Sequence, residues 1–291
     1  MTLTARVESW RERGSYEQLQ GRRIFVSEMP GSGTTLLFLH GFPSSSYDWR
    51  KLLDLARDRP ALAFDFLGFG LSDKPSDHYY GLAAQADLCE ELVRRREPGP
   101  VFVAAHDMGT SVASELMARQ IEGSLTIELA GVFLFNGSMI LERASPTLGQ
   151  KLLRSPAGPL AARLSSKRFF VHQFGSIFSE GHPLDPEEAA DQWSLLTYNG
   201  GHRIGHKLIA YMEERIKHAE RWHGAIRDWP GRLSFAWGMQ DPVATPNVLE
   251  GLRELRPAAP VQELPSLGHY PQIEDPPALH AALERAFAGS D

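Results

Sequence analysis

The stretch Val101-Phe102-Val103-Ala104-Ala105-His106-Asp107-Met108-Gly109 decides how the chain is read. Its first five residues are apolar without a break, as in a strand buried on both faces. From Ser111 to Arg119 the apolar positions take up helical spacing. A strand that turns sharply into a helix holds one side chain out at the carboxyl edge of its sheet. Small residues must flank such a turn, because the backbone approaches itself there. Ala105 and Gly109 fill the small positions, and Asp107 fills the projecting one. Taken alone, Asp107 reads equally well as an acid that N-caps the following helix.

Similar strands lie on either side. Residues 22–28 (RRIFVSE), 35–39 (TLLFL), 61–66 (ALAFDF), 130–135 (AGVFLF) and 233–237 (LSFAW) are short runs rich in apolar residues. Residues 83–96 have helical spacing and end on three arginines, where cations complement the helix dipole. Strands alternating with helices predict an α/β fold with a mostly parallel central sheet flanked by helices. The strand rhythm stops near Ser138 and returns at Leu233. The expected division is a core in two parts, residues 1–137 and 227–291, with a helical cap inserted at 138–226. The insertion could instead be a separate helical domain with no part in catalysis.

The chain has 291 residues, 30 Lys and Arg, 36 Asp and Glu, and a formal charge of −6. A chain of this size buries about three quarters of its unfolded surface, so it needs neither disulfide nor metal to hold a core. The acidic balance argues against a binder of nucleic-acid phosphates. Cys89 is the only cysteine, which excludes an internal disulfide and a CxxC metal site. The N-terminus lacks the apolar segment of a signal peptide, and no apolar run reaches the ~18 residues of a membrane span. The simplest expected localisation is cytoplasmic.

Four motifs fall in order along the chain. His40-Gly41-Phe42-Pro43 follows the 35–39 strand, where a loop can turn its backbone N–H toward a nucleophile on the next strand. The backbone N–H groups of Phe42 and Met108 would then form an oxyanion hole. Asp107 stands at the elbow. Asp241, in Gly238-Met239-Gln240-Asp241-Pro242, follows the 233–237 strand, and His269 lies in the loop Gly268-His269-Tyr270-Pro271. The order nucleophile, acid, histidine is that of the α/β-hydrolase triad.

On these residues the chain resembles the α/β-hydrolase superfamily, in the epoxide hydrolase and haloalkane dehalogenase branch that uses an aspartate nucleophile. Within that branch it is similar to the mesoderm-specific transcript group and its bacterial relatives. HGFPSSSYDW (40–49), DFLGFGLSDKP (65–75), HDMG (106–109) and HYPQIEDP (269–276) carry the closer resemblance. DPV (241–243), QKLL (150–153) and RWHGAI (221–226) add to it.

A carboxylate is ionised at neutral pH and needs no base before it attacks. It forms an ester with an electrophilic carbon. His269, oriented by Asp241, would then activate a water against that ester. The related dehalogenases usually carry Trp after the nucleophile and often Asn in the loop. Here Met108 and Phe42 stand there, and their side chains donate no hydrogen bond. No arginine follows the nucleophile closely enough to match the fluoroacetate-type enzymes.

The resemblance implies cap tyrosines as acids for epoxide opening. Tyr211 falls where the family's second tyrosine lies, although LIAYMEERI (208–216) also allows it to be a packing residue. The first tyrosine, expected near residues 150–156, is missing, and Tyr198 is a possible substitute. Asn136 reads as a turn residue, or as an alternative acid or halide donor. His106 reads as a supporting residue. His202, His206, His218 and His223 form no closed zinc pattern and read as surface or packing residues. Trp49, Phe42, Met108, Phe170 and Trp193 are candidates to line an apolar pocket.

The expectation is a cofactor-free and metal-free hydrolase that opens a small apolar epoxide to a vicinal diol with water. The alternatives are a dehalogenase-like or a lactone or ester hydrolase with the same triad, and a non-catalytic hydrolase-fold protein that binds a ligand or partner.

Overall fold

The structure, a computed structural model, describes residues 2–96 and 99–288. Each apolar run becomes a strand of one sheet. The strands are β1 (Ser15–Leu19), β2 (Arg22–Met29), β3 (Thr35–Leu39), β4 (Ala61–Phe64), β5 (Val101–His106), β6 (Leu129–Phe135), β7 (Leu233–Gly238) and β8 (Val261–Leu264). Their spatial order is β1-β2-β4-β3-β5-β6-β7-β8. From β4 through β8 neighbours run parallel, while β1 and β2 join antiparallel at one edge.

Strand alternation gives the sheet two apolar faces. Leu37, Leu39, Val103 and Ala105 pack on one side with Leu92, Leu116 and Leu249. These come from helices Leu82–Arg96, Met108–Ile121 and Pro246–Leu255. Leu36, Phe38, Phe102 and Ala104 pack on the other with Leu52, Leu279 and Leu283. Every residue of β3, β4, β5 and β7 is therefore buried, which is why those strands read as unbroken apolar runs.

Three elements depart from the sequence reading. β1 (SYEQL) and β8 (VQEL) are short, polar edge strands and lack the apolar signal. β1 closes on β2 through Gln20 and Gly21, both at positive φ, as a two-residue hairpin turn requires. The 61–66 run stops at Phe64 because Asp65 has another task. Its carboxylate accepts from Ser46 N–H at 2.7 Å, Ser46 hydroxyl at 2.6 Å and Leu71 N–H at 2.5 Å, tying together the loops after β3 and β4.

Between β6 and β7 the chain forms helices only. Asp191 of helix Pro186–Thr197 accepts from Tyr47 hydroxyl at 2.6 Å and Arg6 Nε at 2.7 Å. Glu214 of helix Tyr211–Lys217 accepts from Tyr79 hydroxyl at 2.6 Å. Helix Ala219–Asp228 lies against Met108–Ile121, where Trp222 Nε1 donates to Glu115 at 2.9 Å. Phe170, Phe174 and Trp193 pack with Val243 and Tyr270, joining this segment to the loops after β7 and β8.

At the turn after β5 the backbone leaves no room for a side chain at Gly109. A Cβ there would lie 2.4 Å from the Leu39 carbonyl oxygen and 2.8 Å from that of His40. Both are backbone atoms and cannot rotate away. Gly109→Ala should lose about 1–3 kcal/mol in urea denaturation. At Gly149 the nearest atom would be 3.6 Å away, so Gly149→Ala should be neutral or gain up to ~1 kcal/mol. Equal stability of the two variants would contradict the packing at the elbow.

Candidate active site

Asp107 sits between β5 and helix Met108–Ile121 at φ 44° and ψ −111°, a conformation that a non-glycine residue adopts only when its surroundings impose it. It occupies the N-cap position, yet its side chain makes no capping bond. Its carboxylate turns instead to the loop after β3, where Phe42 N–H donates to Oδ2 at 2.9 Å. Gly41 permits this approach, since a Cβ there would lie 2.7 Å from Asp107 Cβ. His40 fixes the loop from beneath. Its Nδ1–H donates to Gly41 O at 2.9 Å, and its Nε2 accepts from Phe66 N–H at 3.0 Å. Complete burial lowers its pKa to about 4, in keeping with this neutral, one-donor arrangement. Met108 begins the helix, so its N–H belongs to the first turn, which has no carbonyl partner within the helix.

Asp241 and His269 meet across the ends of β7 and β8. His269 Nδ1 bonds Asp241 Oδ2 at 2.7 Å, which leaves Nε2 as the acceptor nitrogen. Asp241 Oδ1 accepts from Val243 N–H at 2.7 Å and Ala244 N–H at 3.0 Å. Asn136 completes the set. Its Nδ2 donates to Asp241 Oδ2 at 2.7 Å, and its Oδ1 accepts from Gly238 N–H at 3.0 Å. Asn136 thus holds the Asp241 carboxylate in place and is more than a turn residue. Burial pulls the His269 pKa down. The charge of Asp241, its hydrogen bond and the charge of Asp107 outweigh burial and leave the pKa above the ordinary value.

His106 supports this histidine from the backbone side. Its Nε2 donates to His269 O at 2.7 Å, and its Nδ1 accepts from Gln272 at 3.1 Å. Burial, followed by the charge of His269, pushes its pKa well down, so it stays neutral.

Tyr211 is buried, with its ring 5.7 Å from that of Phe42. Gln150 Nε2 donates to its hydroxyl at 3.4 Å. Burial, then the charge of Asp107, raises its pKa, so the hydroxyl keeps its proton at neutral pH. Tyr198 lies elsewhere, with Lys74 5.4 Å from its ring centre.

Arg215 is a site residue that sequence reasoning missed. It lies one helical turn beyond Tyr211 with its side chain 1% exposed. Nη2 donates to the Asp107 carbonyl at 2.7 Å and stands 3.7 Å from Oδ1, while Nε donates to Ser111 at 2.9 Å. Its guanidinium lies 4.7 Å from the Tyr211 ring centre, and Nη1 is buried without a partner. An arginine amid MEERIK reads as solvated charge on a helix, and only the tertiary packing reveals otherwise.

A cavity of about 290 Å³ opens beside Phe42, Gln150 and His269. Phe42, Pro43, Val243 and His269 form its core side, and Leu153, Phe170, Phe174, Ile177 and Leu208 its helical side. Of the expected lining residues, Phe42 and Phe170 are present and three are not. Trp49 lies within the sheet's other core layer, 5.1 Å from Phe38, Met108 packs into the core, and Trp193 stands behind Phe170 at 5.6 Å. His202 is also in the wall, with Nδ1 buried and unpartnered, whereas the His218 ring lies 5.4 Å from that of Trp222 and His223 bonds Met139 O. His206 has a buried Nδ1 without a partner. Among the described residues no group of His, Cys, Asp or Glu is placed to hold a metal ion.

The alpha/beta hydrolase family matches residues 36–282. LipZ of Mycobacterium tuberculosis strain H37Rv is 55% identical over 276 residues, spanning 95% of this chain and 96% of the relative. The human mesoderm-specific transcript homolog protein is 36% identical over 290 residues, covering 94% of this chain and 85% of its own. Among solved structures, the haloalkane dehalogenase DatA from Agrobacterium tumefaciens C58 superposes with a TM-score of 0.78 at 20% identity, over 96% of this chain and 97% of that one. At that identity the likeness concerns the fold alone. The chain belongs to the alpha/beta hydrolase family and is a hydrolase of that fold.

Proposed function

We propose that the protein hydrolyses small apolar epoxides to vicinal diols through an ester on Asp107. One contact carries this reading: Phe42 N–H donates to Asp107 Oδ2 at 2.9 Å. In a serine hydrolase the oxyanion hole receives an oxygen of the substrate. Here the resting nucleophile already has one of its own oxygens there. Oδ2 is then the future ester carbonyl oxygen, and Oδ1 is left to attack.

In the first half-reaction Oδ1 bonds to an epoxide carbon, and the ring C–O bond breaks toward oxygen. Tyr211 gives that oxygen its proton. Gln150, at 3.4 Å from the Tyr211 hydroxyl, takes the place of the missing first tyrosine as a second donor. In the second half, His269 Nε2 accepts a proton from water as the hydroxide adds to the ester carbon. The negative charge then falls on Oδ2, which already accepts from Phe42 N–H, with the Met108 N–H as the expected second donor. Collapse expels the diol oxygen, which takes the proton from His269. The acid proton left on Asp107 returns to Tyr211, and every group is restored. Arg215, 3.7 Å from Oδ1, is the counter-charge of the buried carboxylate.

Residues 1–137 and 227–291 serve as the catalytic core in this scheme, and 138–226 serve as a cap that supplies Tyr211, Gln150 and most of the apolar wall. Haloalkane displacement fits less well, since neither Met108 nor Phe42 has a side-chain donor for a halide.

His269→Gln should still form the ester but hydrolyse it about 10²–10⁴-fold more slowly, so intact-mass spectrometry should find the substrate adduct. In the parent, ester hydrolysis should fall on the acid side, where His269 takes up a proton and the base is lost. Asp107→Ala should form no adduct, and near-normal turnover by it would remove Asp107 from the reaction.

Tyr211→Phe keeps the ring and deletes the acid. Epoxide alkylation should slow by at least tenfold, about 1.4 kcal/mol of barrier, with little change in thermal stability. Unchanged epoxide alkylation would leave Tyr211 as a packing residue.

A further inference from the structure

Of the nine large hydrophobic side chains exposed among the described residues, five lie within residues 148–169. They are Leu148 (57% exposed), Leu152, Leu160 (59%), Leu164 (71%) and Phe169. Leu152, Leu164 and Phe169 also line the cavity, so the patch and the cavity wall are continuous. The helices that carry the patch are Leu148–Arg154, Gly158–Arg163 and Lys167–Gly175.

The charge around this patch is one-sided. Residues 144–179 contain Lys151, Arg154, Arg163, Lys167 and Arg168, and no Asp or Glu. All five cations are exposed. Arg154 pairs with Glu213. Among the described residues Lys151, Arg163, Lys167 and Arg168 form no ion pair within 4 Å. The chain as a whole carries −6, so this face has the opposite sign to the molecule.

We propose that this face docks on an anionic lipid surface, with the apolar side chains entering the interface and the cations meeting lipid headgroups. Exposed apolar area ringed by Lys and Arg is the combination that holds a protein on a membrane without spanning it. No helix among the described residues is long and apolar enough to cross a bilayer, so the attachment is peripheral. The sign of the charge selects this occupant. A second copy docked through the same face would bring cations against cations, whereas an anionic bilayer pairs with this face and repels the rest of the chain. Docked so, the cavity mouth faces the lipid, where apolar substrates concentrate. The inference concerns binding alone and stands whatever reaction Asp107 performs.

The test is co-sedimentation of the full chain with phosphatidylcholine–phosphatidylglycerol vesicles, against pure phosphatidylcholine vesicles. Binding should require the anionic lipid and weaken steeply at high salt. The triple variant Lys151→Glu/Lys167→Glu/Arg168→Glu should bind at least about fiftyfold more weakly. Leu160→Glu should bind roughly tenfold more weakly. Neither variant touches the cavity wall. Arg57→Glu, an exposed cation on the core, should bind like the parent. Unchanged melting temperatures would separate lost docking from lost folding. Absence of binding to anionic vesicles, or equal binding by the triple variant, would overturn the proposal. So would self-association in light scattering that Leu160→Glu abolishes without any vesicle binding, which would assign the face to a second copy.

Discussion

The site depends on one close approach, between the chain leaving β3 and the chain leaving β5. The two strands are parallel neighbours with Leu39 opposite Ala105, so their carboxyl ends emerge side by side. Gly41 and Gly109 remove the Cβ atoms that would hold them apart, and the Phe42 N–H···Oδ2 bond closes the gap. The strained backbone of Asp107 is held there by packing on every side. A shift of this contact would move the proposed nucleophile and its proposed oxyanion donor together.

Around that contact the buried charges are arranged in opposition. Asp241 spends both oxygens on four donors, so it stays fixed while it orients His269. Arg215 balances Asp107 from the helical side. The charge of Asp107 is one of the causes that raise the His269 pKa. In the proposed reaction, esterification would neutralise Asp107 and remove that cause. His269 would then move toward its neutral form in the intermediate that needs a base. The two half-reactions would be coupled through a charge that the first one removes.

Much of this was legible in the sequence, and the remainder was not for physical reasons. The elbow and the His40-Gly41-Phe42-Pro43 loop are local signals, a buried strand followed at once by small residues. Asp241 and His269 could be read because each follows such a strand or closes a short loop in a fixed order. Asn136 looked like a turn residue because it stands before Gly137 at the end of a strand, and it does take a turn's positive φ, while its bond to Asp241 spans more than a hundred residues. Arg215 gave no signal, since an amphipathic helix looks alike whether its charged side chain meets water or a buried carboxylate; Gln150 stood in the QKLL stretch that carried the resemblance, but nothing local marked its contact with Tyr211. β1 and β8 were missed because polar edge strands lack the apolar run that marks the interior ones.

That Asp107 is the nucleophile is tested most directly by a single turnover of an epoxide in ¹⁸O-labelled water. Attack by Oδ1 followed by water at the ester carbon predicts that the first diol carries unlabelled oxygen. The label then appears in the Asp107 side chain, found by mass spectrometry of its peptide. A first diol that already carries solvent oxygen, with Asp107 unlabelled, would mean that water attacks the substrate directly and would contradict the ester mechanism.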